Sequence, residues 1–156
     1  MTDNEFMQSA IVKTREGIAA GQSPFGSVIA RDGQIVAATH NTVWLTCDPT
    51  AHAEVNCIRA AATALRTIAL HGCTLYSTTE PCPMCLAAIH WAKIERVVFG
   101  ASIQDAADAG FAELFVPAKA LAAMGRSPLV VESGLLQAEC AALFAEWKAA
   151  AKCRAY

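Results

Sequence analysis

The chain has 156 residues, which fits one domain with a sizeable core. Although 54% of it is hydrophobic, no apolar run reaches membrane-spanning length, and the start Met1-Thr2-Asp3-Asn4-Glu5 is too acidic for a signal peptide. Net charge is −2 and the twelve Lys and Arg are scattered, grouped only weakly at Lys148, Lys152 and Arg154. Holding a polynucleotide needs clustered cations to neutralise phosphates, so nucleic acid is an unlikely partner and a small neutral substrate the better one.

In chain order, 2–20 reads as a helix: Thr2 and Glu5 form a capping box, and Phe6, Met7, Ala10, Ile11, Thr14, Gly17 and Ile18 follow a helical stripe. Two strands, 25–31 and 34–40, flank the hairpin turn Asp32-Gly33. Asn41 then stands at a strand end, as a pocket or a turn residue. Residues 43–47 read as loop. Asp48-Pro49-Thr50 opens a second helix over 50–65, with a capping side chain and then a proline. A central strand over 74–79 delivers Glu80-Pro81-Cys82 to a third helix over 83–92, and 96–101 is the next strand. No clean period marks 102–117, which holds Asp105, Asp108, Gly110-Phe111 and Glu113. A short helix follows over 118–124, a short strand over 129–132 and a last helix over 137–151. The apolar face of that helix, Leu136, Cys140, Leu143, Phe144 and Trp147, needs cover from the domain or from a partner subunit. Strands flanked by helices, then a βαβ unit, predict a single α/β domain over 1–156: three layers, α/β/α, with a mixed sheet of about five strands.

Seven cysteines, odd in number and irregularly spaced, make no disulfide framework. Cys47, Cys57, Cys73, Cys140 and Cys153 read as buried or half-buried thiols of a cytoplasmic protein. The other two belong to a pattern that carries chemistry, His52-Ala53-Glu54 with Pro81-Cys82-Pro83-Met84-Cys85. Zinc takes nitrogen and sulfur ligands tetrahedrally, and catalytic sites use three of them with the fourth position open to water. His52, Cys82 and Cys85 make that set, and Glu54 is left free to carry protons. A lone Cys-x-x-Cys also suits a redox pair or half of a structural zinc site. A redox pair has no use for the histidine and glutamate, and a structural site lacks its fourth ligand here. The spacing H-x-E…P-C-x-x-C matches the signature of zinc nucleobase deaminases.

With these residues in view, the chain resembles the cytidine deaminase-like superfamily, and within it the small bacterial zinc-dependent guanine deaminases. The matching stretches are Pro24-Phe25-Gly26, Asn41, 48–54, 80–85, His90-Trp91-Ala92, and 105–107 through Gly110-Phe111, with Tyr156 at the end. The resemblance implies one zinc ion per subunit and hydrolysis of guanine to xanthine and ammonia, with Glu54 as proton carrier. It implies a second assisting carboxylate after the Gly-Phe step, a place that Glu113 takes, while Ala112 stands where some relatives carry aspartate. Asn41 would bond the purine, and Phe25 and Trp91 would supply apolar or stacking surface. The resemblance also implies a homodimer that exchanges 135–156, so that Tyr156 completes the neighbour's pocket. Other substrates for the same chemistry are cytosine, guanosine, a triazine or tRNA adenosine. A zinc-stabilised binding module without catalysis is the reading of a different class, against which an unliganded Glu54 argues.

Overall fold

Successive residues of the inner strands face opposite sides of the sheet, as a pleated backbone requires. Val28 and Ala30 enter one apolar core and Ile29 the other; Tyr76 opposes Leu75, and Val98 opposes Val97 and Phe99. A sheet apolar on both faces needs helices on both. The computed structural model describes residues 1–156 and has that three-layer α/β/α architecture. The strands are β1 (Gly26–Arg31), β2 (Gln34–His40), β3 (Thr74–Thr79), β4 (Arg96–Ala101) and β5 (Val130–Ser133). They lie in the order β2-β1-β3-β4-β5, with β1 antiparallel to both neighbours and β3, β4 and β5 parallel. Helices α3 (Ala53–Leu65), α4 (Pro83–Trp91) and α6 (Ala118–Met124) cover one face. The other is covered by α1 (Asp3–Ala19), α5 (Ile103–Ala109) and α7 (Gln137–Lys148). None is long and apolar enough to cross a membrane.

The first helix starts on the expected capping box, with Thr2 Oγ1 accepting from Glu5 N–H and Glu5 accepting from Thr2 N–H. At the hairpin, Asp32 and Gly33 both have positive φ, 52° and 74°, as a two-residue turn matched to strand twist requires. Four boundaries differ from expectation. Residues Val43–Thr46 form a one-turn helix, α2, instead of loop. Helix α3 begins at Ala53, not at 50, because the Asp48 carboxylate is spent on a local turn, accepting from Thr50 N–H and Oγ1–H. The stretch without a period contains α5, too short to show a stripe but opened by a Ser102/Asp105 capping box and closed by Gly110 at φ 107°. The last helix stops at Lys148, short of 151.

The apolar face of α7 finds its cover within the domain. Cys140, Leu143, Phe144 and Trp147 are buried in the same core as α1 and the sheet, so no partner is needed to shield them. Cys57, Cys73 and Cys140 are buried as expected, but Cys47 and Cys153 are exposed. Cys47 sits in left-handed backbone at the end of α2 and Cys153 in the tail beyond α7, neither of which packs on a core.

Gly26 holds α1 close against the start of β1. A Cβ there would land on Thr14 Oγ1 and on the backbone carbonyl oxygen of Ala10, which cannot step aside. Gly26→Ala should therefore cost about 1–3 kcal/mol, read as a lowered urea midpoint with unchanged m-value; an unchanged midpoint would contradict this packing.

Candidate active site

Two helix starts meet beyond the carboxyl end of β3. His52 is the N-cap of α3 and Cys82 the N-cap of α4, both in extended backbone, with φ/ψ of −65°/156° and −61°/165°. N-cap side chains ordinarily turn back to accept from the helix's free N–H groups. Neither of these does, so both are free to point at a common spot. Because His52 precedes the helix proper, it and Glu54 are not forced onto opposite faces. Cys85, one turn into α4, joins them.

The three donor atoms fit a tetrahedral cation. Metal–nitrogen bonds of about 2.0–2.1 Å and metal–sulfur bonds of about 2.3 Å imply a nitrogen–sulfur separation of roughly 3.6 Å. His52 Nδ1 lies 3.5 Å from Cys85 Sγ and 3.7 Å from Cys82 Sγ. All three ligand atoms fall within 4.8 Å of one another, and no fourth side chain belongs to the set. Glu54 stands beside it. Its Oε2 accepts from the Cys85 thiol at 3.5 Å and its Oε1 from Ser77 Oγ–H at 3.2 Å.

The protein groups alone polarise the two thiols in opposite directions. The Cys85 thiol and His52 beside Cys82 bring its pKa down to about 4, and the same hydrogen bond, together with burial, drives Cys85 well above the thiol range. Burial opposes protonation of His52, but the hydrogen bond to Cys82 and the charge of Glu54 leave its pKa raised. Burial and the Cys82 charge raise Glu54. Glu113 rises to about 8, first through burial and then through the charges of Cys82 and Glu54. Without a cation only Cys82 of this cluster is acidified, and the positive ends of two helices favour the thiolate form that a metal ion binds.

A pocket of about 260 Å³ opens over the cluster, small among ligand pockets. Phe25, Glu54, Glu113 and Tyr156 all line it, and Glu113 Oε2 is buried there without a hydrogen-bond partner. Phe25 stacks edge-on to Phe111 at 4.8 Å. The Tyr156 ring meets both His52 and Phe111 edge-on at 5.8 Å.

Two expected contacts are placed differently. Trp91 is outside the pocket: it is 78% exposed and lines a separate groove with His90 and Leu121. Six residues past Cys85 on a helix is about 9 Å along the axis, well clear of the metal ligands. Asn41 is fully buried and lies behind Tyr156, donating from Nδ2 to the tyrosine hydroxyl at 2.6 Å while its Oδ1 accepts from Val43 N–H. Tyr156 thus reaches the site of its own chain. Trp44 anchors the tail, its Nε1–H donating to Arg154 O and its ring lying 4.2 Å from the Arg154 guanidinium carbon.

The model of the cytidine and deoxycytidylate deaminase zinc-binding region matches residues 1–101. The chain belongs to this deaminase family. It is 46% identical over 117 residues to a guanine deaminase of Bacillus subtilis (strain 168), covering 74% of this chain and 75% of that one. It is also 41% identical over 96 residues to a tRNA-specific adenosine deaminase of Aquifex aeolicus (strain VF5), covering 62% and 64%. The solved structure of a guanine deaminase from Nitrosomonas europaea superposes with a TM-score of 0.87 at 28% identity, over 95% of this chain and 85% of that one. The protein is a zinc-dependent aminohydrolase, and His52, Cys82 and Cys85 fit one zinc ion per chain.

One feature of this deaminase site carries no sequence signal by itself, the hold of Ser77 on Glu54; Phe111 and Glu80, which stand in the matching stretches, both line the pocket. Ser77 is one of several polar residues on β3, and only the sheet register decides which of them meets Glu54.

Thiol chemistry tests the metal centre. With zinc bound, only the exposed Cys47 and Cys153 should react quickly with a disulfide reagent. Chelation should strip one equivalent of zinc, read by elemental analysis, and add Cys82, the acidified thiol, to the fast class. An unchanged fast count after complete zinc loss would contradict the ligand assignment.

Proposed function

We propose that this deaminase hydrolyses guanine to xanthine and ammonia. The observation that carries the reading is the unpartnered, buried oxygen of Glu113, which shares a small aromatic-walled pocket with Glu54. A buried carboxyl without a protein partner needs one from the substrate. Glu113 favours its protonated form at neutral pH and can therefore donate as well as accept. Guanine offers acceptors at its ring nitrogens and a donor at the amino group on C2. The pocket lining contains no Lys or Arg, and the tail lies across it, which suits a free base better than a polynucleotide strand.

Zinc held by His52, Cys82 and Cys85 supplies the acidification of water, from a pKa of about 15.7 towards about 7. Glu54 takes one proton from the water as its oxygen bonds to C2 and hands it to a ring nitrogen, then takes the second from the new C2 hydroxyl and hands it to the departing amine. The C2–N bond breaks and ammonia leaves. Ser77 fixes one oxygen of Glu54, so the proton carrier is held in a single orientation. Glu113 donates to the leaving group or ring face, Phe25 and Tyr156 bound the ring, and Asn41 keeps a second N–H for the substrate or for the tyrosine. The reading includes a homodimer. Exchange of 135–156 would make the Tyr156–Asn41 contact between subunits that is made here within one chain.

The relatives that act on tRNA adenosine supply the second reading, and a substrate panel read by ammonia release separates the two. Zinc-replete protein should release ammonia from guanine faster than from guanosine, adenine, cytosine, cytidine, a triazine or an anticodon stem-loop. A preference for the stem-loop would overturn the guanine reading. Glu54→Gln should keep its zinc and lose roughly 10²–10⁴-fold in kcat; wild-type turnover would remove Glu54 from its role. Glu113→Gln, which mimics the protonated acid, should retain more activity than Glu113→Ala, and equal activities would deny Glu113 a hydrogen bond to substrate.

A further inference from the structure

Glu80 is the best-buried carboxylate that the reaction does not use. It follows the last residue of β3, and its own N–H donates to Ala101 O at 2.8 Å, joining the carboxyl ends of β3 and β4. Its side chain is buried, and its two oxygens take separate partners. Oε2 accepts from Ile103 N–H at 2.9 Å and Oε1 from Ala118 N–H at 2.8 Å. Ile103 is the first residue of α5 and Ala118 the first of α6. One carboxylate therefore grips both ends of a single excursion of the chain.

That excursion carries the wall of the pocket. Between α5 and α6 the backbone has neither helix nor strand, and it is there that Phe111, Glu113 and Leu114 face the site. Its internal hydrogen bonds are few, Val116 N–H to Leu114 O and Phe111 N–H back to Ala106 O among them. Two N–H groups converge on separate oxygens, and a carboxylate offers two acceptors with no donor. Glutamine would turn its amide N–H₂ against one of the donors, and aspartate would fall a methylene short of spanning both.

We propose that Glu80 is a positioning residue, which clamps both ends of the segment 103–118 and so holds Glu113 at the proposed substrate. The proposal rests on the role given to Glu113 above, and the test separates the two. In the wild-type protein, amide exchange followed by NMR should show Ile103 and Ala118 at least 10-fold slower than the exposed amides of the same segment. If both exchange like exposed loop amides, the clamp does not exist, whatever the substrate. Glu80→Gln should keep one zinc per chain and the protection of β3 and β4, and should speed exchange at one or both clamped amides at least 10-fold. It should lower kcat about 10-fold on whichever base the panel selects, with a smaller change in KM. In a Glu113→Ala background the same substitution should cost less than about 3-fold, since a residue that acts through another loses its effect when the other is gone. An equal loss in both backgrounds would overturn the positioning role while leaving the proposed reaction standing. Failure of every base in the panel would overturn the reaction, and the exchange measurement would still decide the clamp.

Discussion

The interaction on which this structure turns is the convergence of one imidazole nitrogen and two sulfurs at separations of 3.5 and 3.7 Å. Such spacing leaves little freedom in how α3 and α4 sit against each other, because each supplies its ligands from its first turn. The helices pack side by side on one face of the sheet, with Cys57 and Ala61 of one in the same core as Leu86 and Ile89 of the other. Apolar packing of that kind fixes distance, but it tolerates sliding. The ligand set does not, since its three donor atoms come within reach of one cation at only one register of the two helices.

Around that point the chain spends three carboxylates in three ways. Glu54 is buried beside the ligands and tied to Ser77, as suits the proton-carrying role proposed for it. Glu113 is held in a loop with one oxygen lacking a partner, as befits a group whose partner arrives with the substrate. Glu80 is fully satisfied by two backbone amides and stands where structure is needed more than chemistry. Burial alone does not distinguish them; what each oxygen touches does.

The tail adds an irregular segment to a frame of helices and strands. Beyond α7 the chain has no regular structure after its last turn, and it is held by Trp44 at Arg154 and by Asn41 at Tyr156. These contacts place an aromatic ring over His52. Tyr156 covers Asn41 and lines the pocket, so one hydrogen bond ties the tail to the buried amide behind the site.

Much of this was legible in the residues. The capping box at Thr2 and Glu5, the Asp32-Gly33 turn and the alternating strands are local patterns whose physics is complete within a few positions. The metal ligands were legible too, because histidine, glutamate and two cysteines at that spacing have few other uses. Trp91 stands outside the pocket of its own chain, since proximity to Cys85 in sequence says nothing of the helix geometry that carries it away. Asn41, Ser77 and Glu80 were beyond reach for a different reason: their roles depend on partners 115, 23 and 38 positions away. The sequence by itself determined the fold class and the zinc ligands, for those follow from chemistry that neighbouring residues share. Only the tertiary structure decided which partner each buried carboxylate meets, Ser77 for Glu54 and two backbone amides for Glu80, because that depends on what the folded chain brings within hydrogen-bond distance of each oxygen.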